Sequence, residues 1–305
     1  MKTLEGGMRI GLTGATGFIG SHFALLAHGR GHQIVAYSRG QKEAPVADET
    51  LRQPPQAAHA LPETKLDALV HLAGESLMGL WTAEKRDRIW KSRVDFTEAL
   101  VTHLGTWKEE NRPKVLVCAS GAGFYGDSGP EIVDEASPRG AGFLADVCAG
   151  WEKAAHRAEA LGMRVVNLRT GMVLGRNGGA FPLLRRVFGL GLGGRLGNGR
   201  QWMSWIHLND AVQILLKALE TERVSGPVNL CAPEAVTNAE FTRQLAAALH
   251  RPAFFHAPAF ALRLILRGMA DEMLLSGQRA MPRVATEMGY AFEHPDLPGA
   301  FAALV

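Results

Sequence analysis

Cysteine is scarce. The 305-residue chain has three, Cys118, Cys148 and Cys231, an odd number without CxxC or Cys/His spacing, which excludes a disulfide framework and the usual zinc ligand sets. No metal site is expected, and the cysteine usage fits a reducing, cytoplasmic setting. An excess of charge of one sign is also missing. Lysine and arginine (33) against aspartate and glutamate (30) leave a net +3, too small and too dispersed for a nucleic-acid-binding or polybasic membrane surface. The expected partner is a small molecule, with neither nucleic acid nor membrane. No apolar run approaches the roughly 18 to 20 residues of a membrane span; even residues 259–269 carry Arg263 and Arg267. The opening MKTLEGGMRIGLTG has Glu5 and a Gly pair where a signal peptide needs its apolar run, so it is expected to be retained, with residues 1–7 a loose extension. Apolar residues at 47% and charged ones at 21%, with no compositionally simple tract and no internal repeat, exclude a disordered chain.

Glycine is plentiful: 35 of 305 residues, about 11% against a usual share of roughly 7%, the mark of tight turns and of backbone that approaches a ligand closely. Apolar runs at 8–13, 33–37, 66–72, 114–119 and 164–169 read as buried parallel strands. Helical patterns fall between them at 18–29, 83–104 and 142–161, and in 83–104 Ile89, Trp90, Val94, Leu100, Val101 and Leu104 are expected to face the sheet. This alternation predicts a Rossmann-like, doubly wound α/β fold with a mostly parallel sheet. The stretch 40–64 reads as irregular. Helices at 209–219 and 238–249 and a strand at 228–231 follow two glycine-rich loops. The expected division is a dinucleotide-binding domain over 8–170 with a return segment at 206–232, and a smaller α/β substrate lobe over 171–205 and 233–305.

The strongest local signal is TGATGFIG, residues 13–20, between the first strand and the first helix. Gly14 suits the tight turn, Gly17 lets the backbone reach a pyrophosphate, and Gly20 lets helix and strand pack closely, while the helix N-terminus favours the anion. Thr16, Phe18 and Ile19 belong to the same turn. At the end of the second strand, where NAD-binding chains carry an acid, this sequence has Ser38 and Arg39. Both suit a 2′-phosphate, so NADP(H) is favoured over NAD(H).

TGATGFIG, HLAGE (71–75), SGAGFYG (120–126), LRTGMVLG (168–175) and SWIHLNDA (204–211) follow one another in order. In this the chain resembles the extended short-chain dehydrogenases/reductases, the NAD-dependent epimerase/dehydratase group. More narrowly it resembles the atypical "epimerase family protein" branch, also labelled nucleoside-diphosphate sugar epimerase or cell-division inhibitor-like, over nearly all of residues 8–300. The resemblance implies that Leu72, Ala73, Gly74, Ala119, Ser120, Cys148, Arg169, Thr170 and Gly171 lie along the cofactor, with a structural ion pair as the alternative for Arg169. It is compatible with a homodimer.

Catalytic members of the superfamily use a Tyr-x-x-x-Lys pair whose lysine lowers the tyrosine pKa and makes it a proton shuttle. Four residues after Tyr37, Tyr125 and Tyr290 stand Gln41, Gly129 and His294, so the pair is absent. The resemblance puts Leu144 and Cys148 in its places. The remaining acid/base candidates are Ser120, Tyr125 and Glu75, the last if burial raises its pKa, with His207 as a helix cap or a proton carrier. Arg176, Arg195, Arg200 and Trp202, among glycines, suit an anionic, planar substrate such as a nucleotide sugar. Two readings follow: an NADP(H)-dependent oxidoreductase or epimerase acting by hydride transfer on a sugar nucleotide or small carbonyl compound, or an inactive NADP(H)-binding sensor or scaffold with protein partners.

Overall fold

The apolar runs pair side by side. In the computed structural model, which describes residues 7–40, 44–53 and 59–305, strands β1 (Arg9–Thr13), β2 (Gln33–Ser38), β3 (Glu49–Arg52), β4 (Ala68–His71), β5 (Val115–Gly121), β6 (Arg164–Thr170) and β7 (Gly226–Leu230) form one sheet. Its spatial order is β7-β6-β5-β4-β1-β2-β3, every neighbouring pair parallel. The chain reverses its winding between β1 and β4, so a crevice opens beyond their carboxyl ends, where open α/β sheets bind ligands.

Helix α1 (Phe18–Gly29) begins at the residue the sequence pattern marks. The expected helix over 83–104 consists of α2 (Ala83–Trp90), a π turn at Lys91–Asp95 and α3 (Phe96–Leu104). Its Ile89, Val94, Leu100, Val101 and Leu104 are buried as the spacing predicts. The fourth helix, α4 (Phe143–His156), packs beside them: a Cβ at Gly150 would lie 3.0 Å from Val94 and 3.2 Å from Trp90. Then come α5 (Phe181–Gly189), α6 (Leu208–Glu220), α7 (Asn238–Ala248), α8 (Ala259–Leu266), α9 (Arg283–Glu287) and α10 (Leu297–Leu304).

One sheet face packs on α1 and α6 through residues such as Ile10, Leu12, Phe23, Ile214 and Leu215. The other packs on α3 and α4 through Leu69, Leu100, Leu116 and Trp151. A third core joins α5, α7 and α10 through Phe181, Trp205, Phe241 and Phe301. From the last part of the chain, Ala285 and Met288 at α9 enter the first of these cores.

Two elements depart from expectation. The stretch 40–64 contains edge strand β3, whose composition is polar because only β2 needs its backbone; Asp48 fixes the approach by accepting from the Ile34 amide at 2.7 Å. Helix α5 lies between the glycine loops, with Pro182 in its first turn and Phe181 and Phe188, seven apart, buried on one face.

Candidate functional site

The crevice has two walls of different character. On the first, Gly14 has φ +76°, and a Cβ there would lie 2.9 Å from the Leu72 carbonyl carbon and 3.0 Å from the Ala73 nitrogen. The Gly17 amide donates to the Gly14 carbonyl at 2.9 Å. A Cβ at Gly20 would stand 2.2 Å from that same oxygen, so helix and strand close on each other only because side chains are absent. Gly17 caps α1 without a side-chain hydrogen bond, and no acid stands in the first turn. The helix therefore presents its first amides and positive dipole end uncompensated beside Thr16, Phe18 and Ile19, a cradle that fits a dinucleotide pyrophosphate.

The Phe18 ring explains a second group of glycines. Cβ atoms at Gly175, Gly178 and Gly179 would approach it to 2.7, 2.3 and 3.0 Å. That hairpin is a packing surface for α1.

At the end of β2, Ser38 Oγ donates to the Gly40 carbonyl at 3.0 Å. Exposed Arg39 lines a small cavity of about 70 Å³ together with Ala73, Gly74, Glu75, Ser92 and Phe96. The expected 2′-phosphate residue and the expected β4-end residues thus share one wall. Arg93, from the π turn, was not foreseen: its guanidinium would lie 3.3 Å from a Cβ on Gly74 and donates to the Glu75 carbonyl at 2.8 Å. Desolvation lowers its pKa.

The second wall carries the groups read as acid/base candidates, and most are bound to one another. Ser120 Oγ donates to Glu152 at 2.8 Å. Arg169 donates to both Glu152 oxygens, each at 2.9 Å, and to the Tyr125 hydroxyl at 3.1 Å. The Tyr125 hydroxyl donates to Asn229 Oδ1 at 2.7 Å, and the Arg169 guanidinium lies 3.4 Å from the Phe124 ring centroid. Ser120, Tyr125, Glu152, Arg169 and Asn229 are all buried. Arg169 is therefore a structural ion-pair partner, with three of its five N–H donors bound to Glu152 and Tyr125. Burial pushes the Tyr125 hydroxyl up to about 12, which opposes proton transfer near neutral pH.

Glu75 corrects another expectation. It is partly exposed and bonded to Lys85 Nζ at 2.7 Å, and that hydrogen bond lowers its pKa. A general base needs the opposite shift. Thr170 Oγ1 bonds the Leu168 carbonyl, and Gly171 is squeezed against the Ser204 carbonyl, where a Cβ would come within 2.6 Å. Ala119 lies half-buried in β5 one residue before Ser120. Cβ atoms at Gly121 and Gly123 would lie 3.5 and 3.9 Å from Cys148 Sγ, and burial pushes that thiol up to about 11. His207 caps α6 by accepting from the Asn209 amide at 3.2 Å, and burial holds its pKa at about 4.

Beside Leu144 a cavity of about 200 Å³ is lined by Gly123, Gly126, Asp127, Leu144, Glu272 and Gln278, among others. Glu272 accepts from the Phe143 and Leu144 amides at 2.9 and 2.7 Å and so caps α4. Asp127 accepts weakly from the Gly277 amide at 3.3 Å. Sequence reading missed these carboxylates, since no motif links residue 272 to residue 144.

The four expected substrate contacts lie outside both cavities. Arg176 binds the Ala303 and Val305 carbonyls at 3.0 and 3.3 Å, a clamp on the last helix. Trp202 lies under the Arg279 guanidinium at 4.3 Å. Arg195 and Arg200 are exposed. Among the described residues no group of three or more His, Cys, Asp and Glu is placed to hold a metal ion.

Comparison with known proteins adds a lineage to this geometry. Residues 10–231 match the model of the NAD dependent epimerase/dehydratase family, and residues 257–304 match a domain of unknown function, DUF1731. The epimerase family protein ML0860 of Mycobacterium leprae is 38% identical over 93% of this chain and 92% of its own length. The crystal structure of the human epimerase family protein SDR39U1 (isoform 2) with NADPH superposes with a TM-score of 0.88 at 35% identity, covering 97% of this chain and 99% of the other. The nucleoside-diphosphate sugar epimerase of Corynebacterium glutamicum gives a TM-score of 0.77 at 30% identity, over 98% of this chain and 58% of that one.

Proposed function

This chain belongs to the NAD dependent epimerase/dehydratase family, and from that premise we propose that it holds NADP(H) in preference to NAD(H) and serves hydride transfer at the carbonyl or hydroxyl carbon of a small polar substrate. The bound dinucleotide supplies the hydride donor or acceptor. The 14–20 turn and the open N-terminus of α1 hold the pyrophosphate; Arg39 takes the 2′-phosphate, beside Ser38, whose hydroxyl donates to the Gly40 carbonyl; Leu72, Ala73 and Gly74 form the facing wall; Ala119, Thr170 and Gly171 border the nicotinamide end. The NADPH in the related human structure supports the choice of cofactor.

The observation that carries the enzyme reading is the cavity beside Leu144. The position that the family pattern gives to the shuttle tyrosine faces an open space bordered by Asp127, Glu272 and Gln278. With Ser120, Tyr125 and Glu75 engaged elsewhere, and both Glu272 oxygens taken by the Phe143 and Leu144 amides, proton transfer falls to Asp127 or to water held beside it. The cavity's volume of about 200 Å³ is below the roughly 300–1,000 Å³ of drug-sized sites. That favours a small carbonyl compound, or the sugar ring alone of a nucleotide sugar.

Nicotinamide absorbance followed over a panel of small carbonyl compounds and nucleotide sugars tests this. Turnover is expected for at least one compound, and Asp127→Asn is expected to lower it by roughly 10²–10⁴-fold at unchanged NADPH affinity. A panel without turnover contradicts the enzyme reading and favours a dinucleotide-holding sensor or scaffold. The observation on that side is the closed Ser120–Glu152–Arg169–Tyr125 network.

A further inference from the structure

The net charge of +3 conceals a segregation. Residues 181–200 and 250–268 contain seven arginines, two histidines and no aspartate or glutamate, and all seven arginines are exposed. The two segments are neighbours in space. Strand Gly194–Leu196 pairs in parallel with Phe255–Ala257, Arg251 Nε donates to the Gly189 carbonyl at 3.0 Å, and the Gly197 amide donates to the Ala257 carbonyl at 2.9 Å. The same segments hold eight of the thirteen large apolar side chains exposed among the described residues, including Phe254 at 90%, Leu264 at 81%, Leu190, Leu192, Phe255 and Phe260. Helix α8 has no buried residue. Phe260 and Leu264, four apart in α8, share one stripe, and Arg263 lies beside it.

We propose that this face docks on the surface of an anionic phospholipid bilayer, with the apolar side chains entering the acyl boundary and the arginines meeting the headgroup phosphates. Exposed apolar area of this extent marks an interaction site, and its charge selects the partner. Arg263 is paired to Asp271 at 2.8 Å; a second copy of the chain, packed by two-fold symmetry, would set the other six arginines against six of like charge. A nucleic acid would satisfy the arginines but leave Leu190, Leu192 and Leu264 in water. An anionic lipid interface meets both demands. Such docking is peripheral: no helix among the described residues is long and apolar enough to cross a membrane, and the eight residues of α8 suit an in-plane position.

Flotation of the purified protein with phosphatidylcholine vesicles, with and without phosphatidylglycerol, tests the proposal. Binding is expected to the anionic vesicles and to weaken with salt. Phe254→Ser/Leu264→Ser is expected to reduce it at least tenfold. Arg185→Gln/Arg186→Gln is expected to reduce it roughly 25-fold, about fivefold per arginine. Both variants should keep the wild-type circular dichroism and melting temperature, since these side chains face solvent. Equal recovery with neutral vesicles, or anionic binding that both variants retain, overturns the proposal. So does a lipid-free dimer that the Phe254→Ser/Leu264→Ser variant dissolves, which assigns the face to a second copy. Tighter capture of a single-stranded oligonucleotide than of anionic vesicles overturns it as well.

Discussion

The two walls of the crevice have met opposite demands. Around Gly14, Gly17 and Gly20 the backbone itself forms the cradle, side chains are excluded by contacts as short as 2.2 Å, and the helix end stays uncapped. Across the sheet, at the ends of β5 and β6, polar side chains have turned inward and bind each other: Ser120 to Glu152, Glu152 to Arg169, Arg169 to Tyr125, Tyr125 to Asn229. A wall that works through backbone amides leaves little room for side-chain change. A wall whose acid/base work needs particular side chains can lose them and recruit its remaining polar groups to stability. The contrast sets a backbone cradle on the first wall, where we propose the dinucleotide is held, against a buried structural network on the second.

The largest effect that sharpens the contrast belongs to the second wall. Glu152→Gln leaves the Arg169 guanidinium buried without its carboxylate, and breaking a buried pair in this way costs about 3–5 kcal/mol. Urea unfolding should register that loss. Wild-type stability with an altered rate would break the contrast by making Glu152 a group of the chemistry. On the first wall, Gly20→Val forces a side chain onto the Gly14 carbonyl oxygen. NADPH affinity should fall at least roughly 100-fold, about 2.7 kcal/mol, as read by calorimetry, and unchanged affinity would show that the turn does not depend on that close approach.

A third test uses pH at the strand between the walls. His71, at the end of β4, is fully buried between Thr13 and Thr97, and desolvation lowers its pKa to about 4. Unfolded, it titrates near 6.5. The unfolded chain therefore binds more protons between those values, and the stability associated with the neutral imidazole is present above about pH 6.5 and lost as pH falls toward 4. His71 alone should remove roughly 2 kcal/mol between pH 7 and pH 5, with His207 adding in the same direction. Unfolding midpoints that do not change over this window would contradict the buried neutral imidazole. The smallest effect is that of Arg176→Ala, which removes hydrogen bonds to the Ala303 and Val305 carbonyls. It should cost about 0.5–1.5 kcal/mol and leave the kinetics of any substrate unaltered; a rise in KM alone would return Arg176 to the substrate.

Legibility followed the same divide. The glycine turn, the exact start of α1 and the apolar strands of the parallel sheet were readable because each depends on short-range signals: a buried apolar run, a glycine-rich turn, a 3.6-residue period. Strand β3 was not readable, because an edge strand needs only its neighbour's backbone and carries no apolar alternation. Helix α5 lay hidden between glycine loops whose glycines answer to the Phe18 ring. At the site, Gly14 packs against Leu72 and Ala73, and Arg39 and Gly74 line one cavity. Glu75, Arg169 and Arg176 received their partners from Lys85, Glu152 and the last turn of the chain, contacts that no local pattern encodes. The absence of the Tyr-x-x-x-Lys pair was legible, whereas the carboxylates around the cavity at Leu144 became visible only when residues 271–278 folded back onto α4.

The most direct test of the account is a calorimetric titration of the wild-type protein and of Arg39→Ala with NADPH and with NADH. The wild type should bind NADPH more tightly, and Arg39→Ala should weaken NADPH by about 1.5–3 kcal/mol while leaving NADH nearly unchanged. Equal losses for the two cofactors, or binding of neither by the wild type, would contradict the claim that the glycine wall and Arg39 together form a working NADP(H) site.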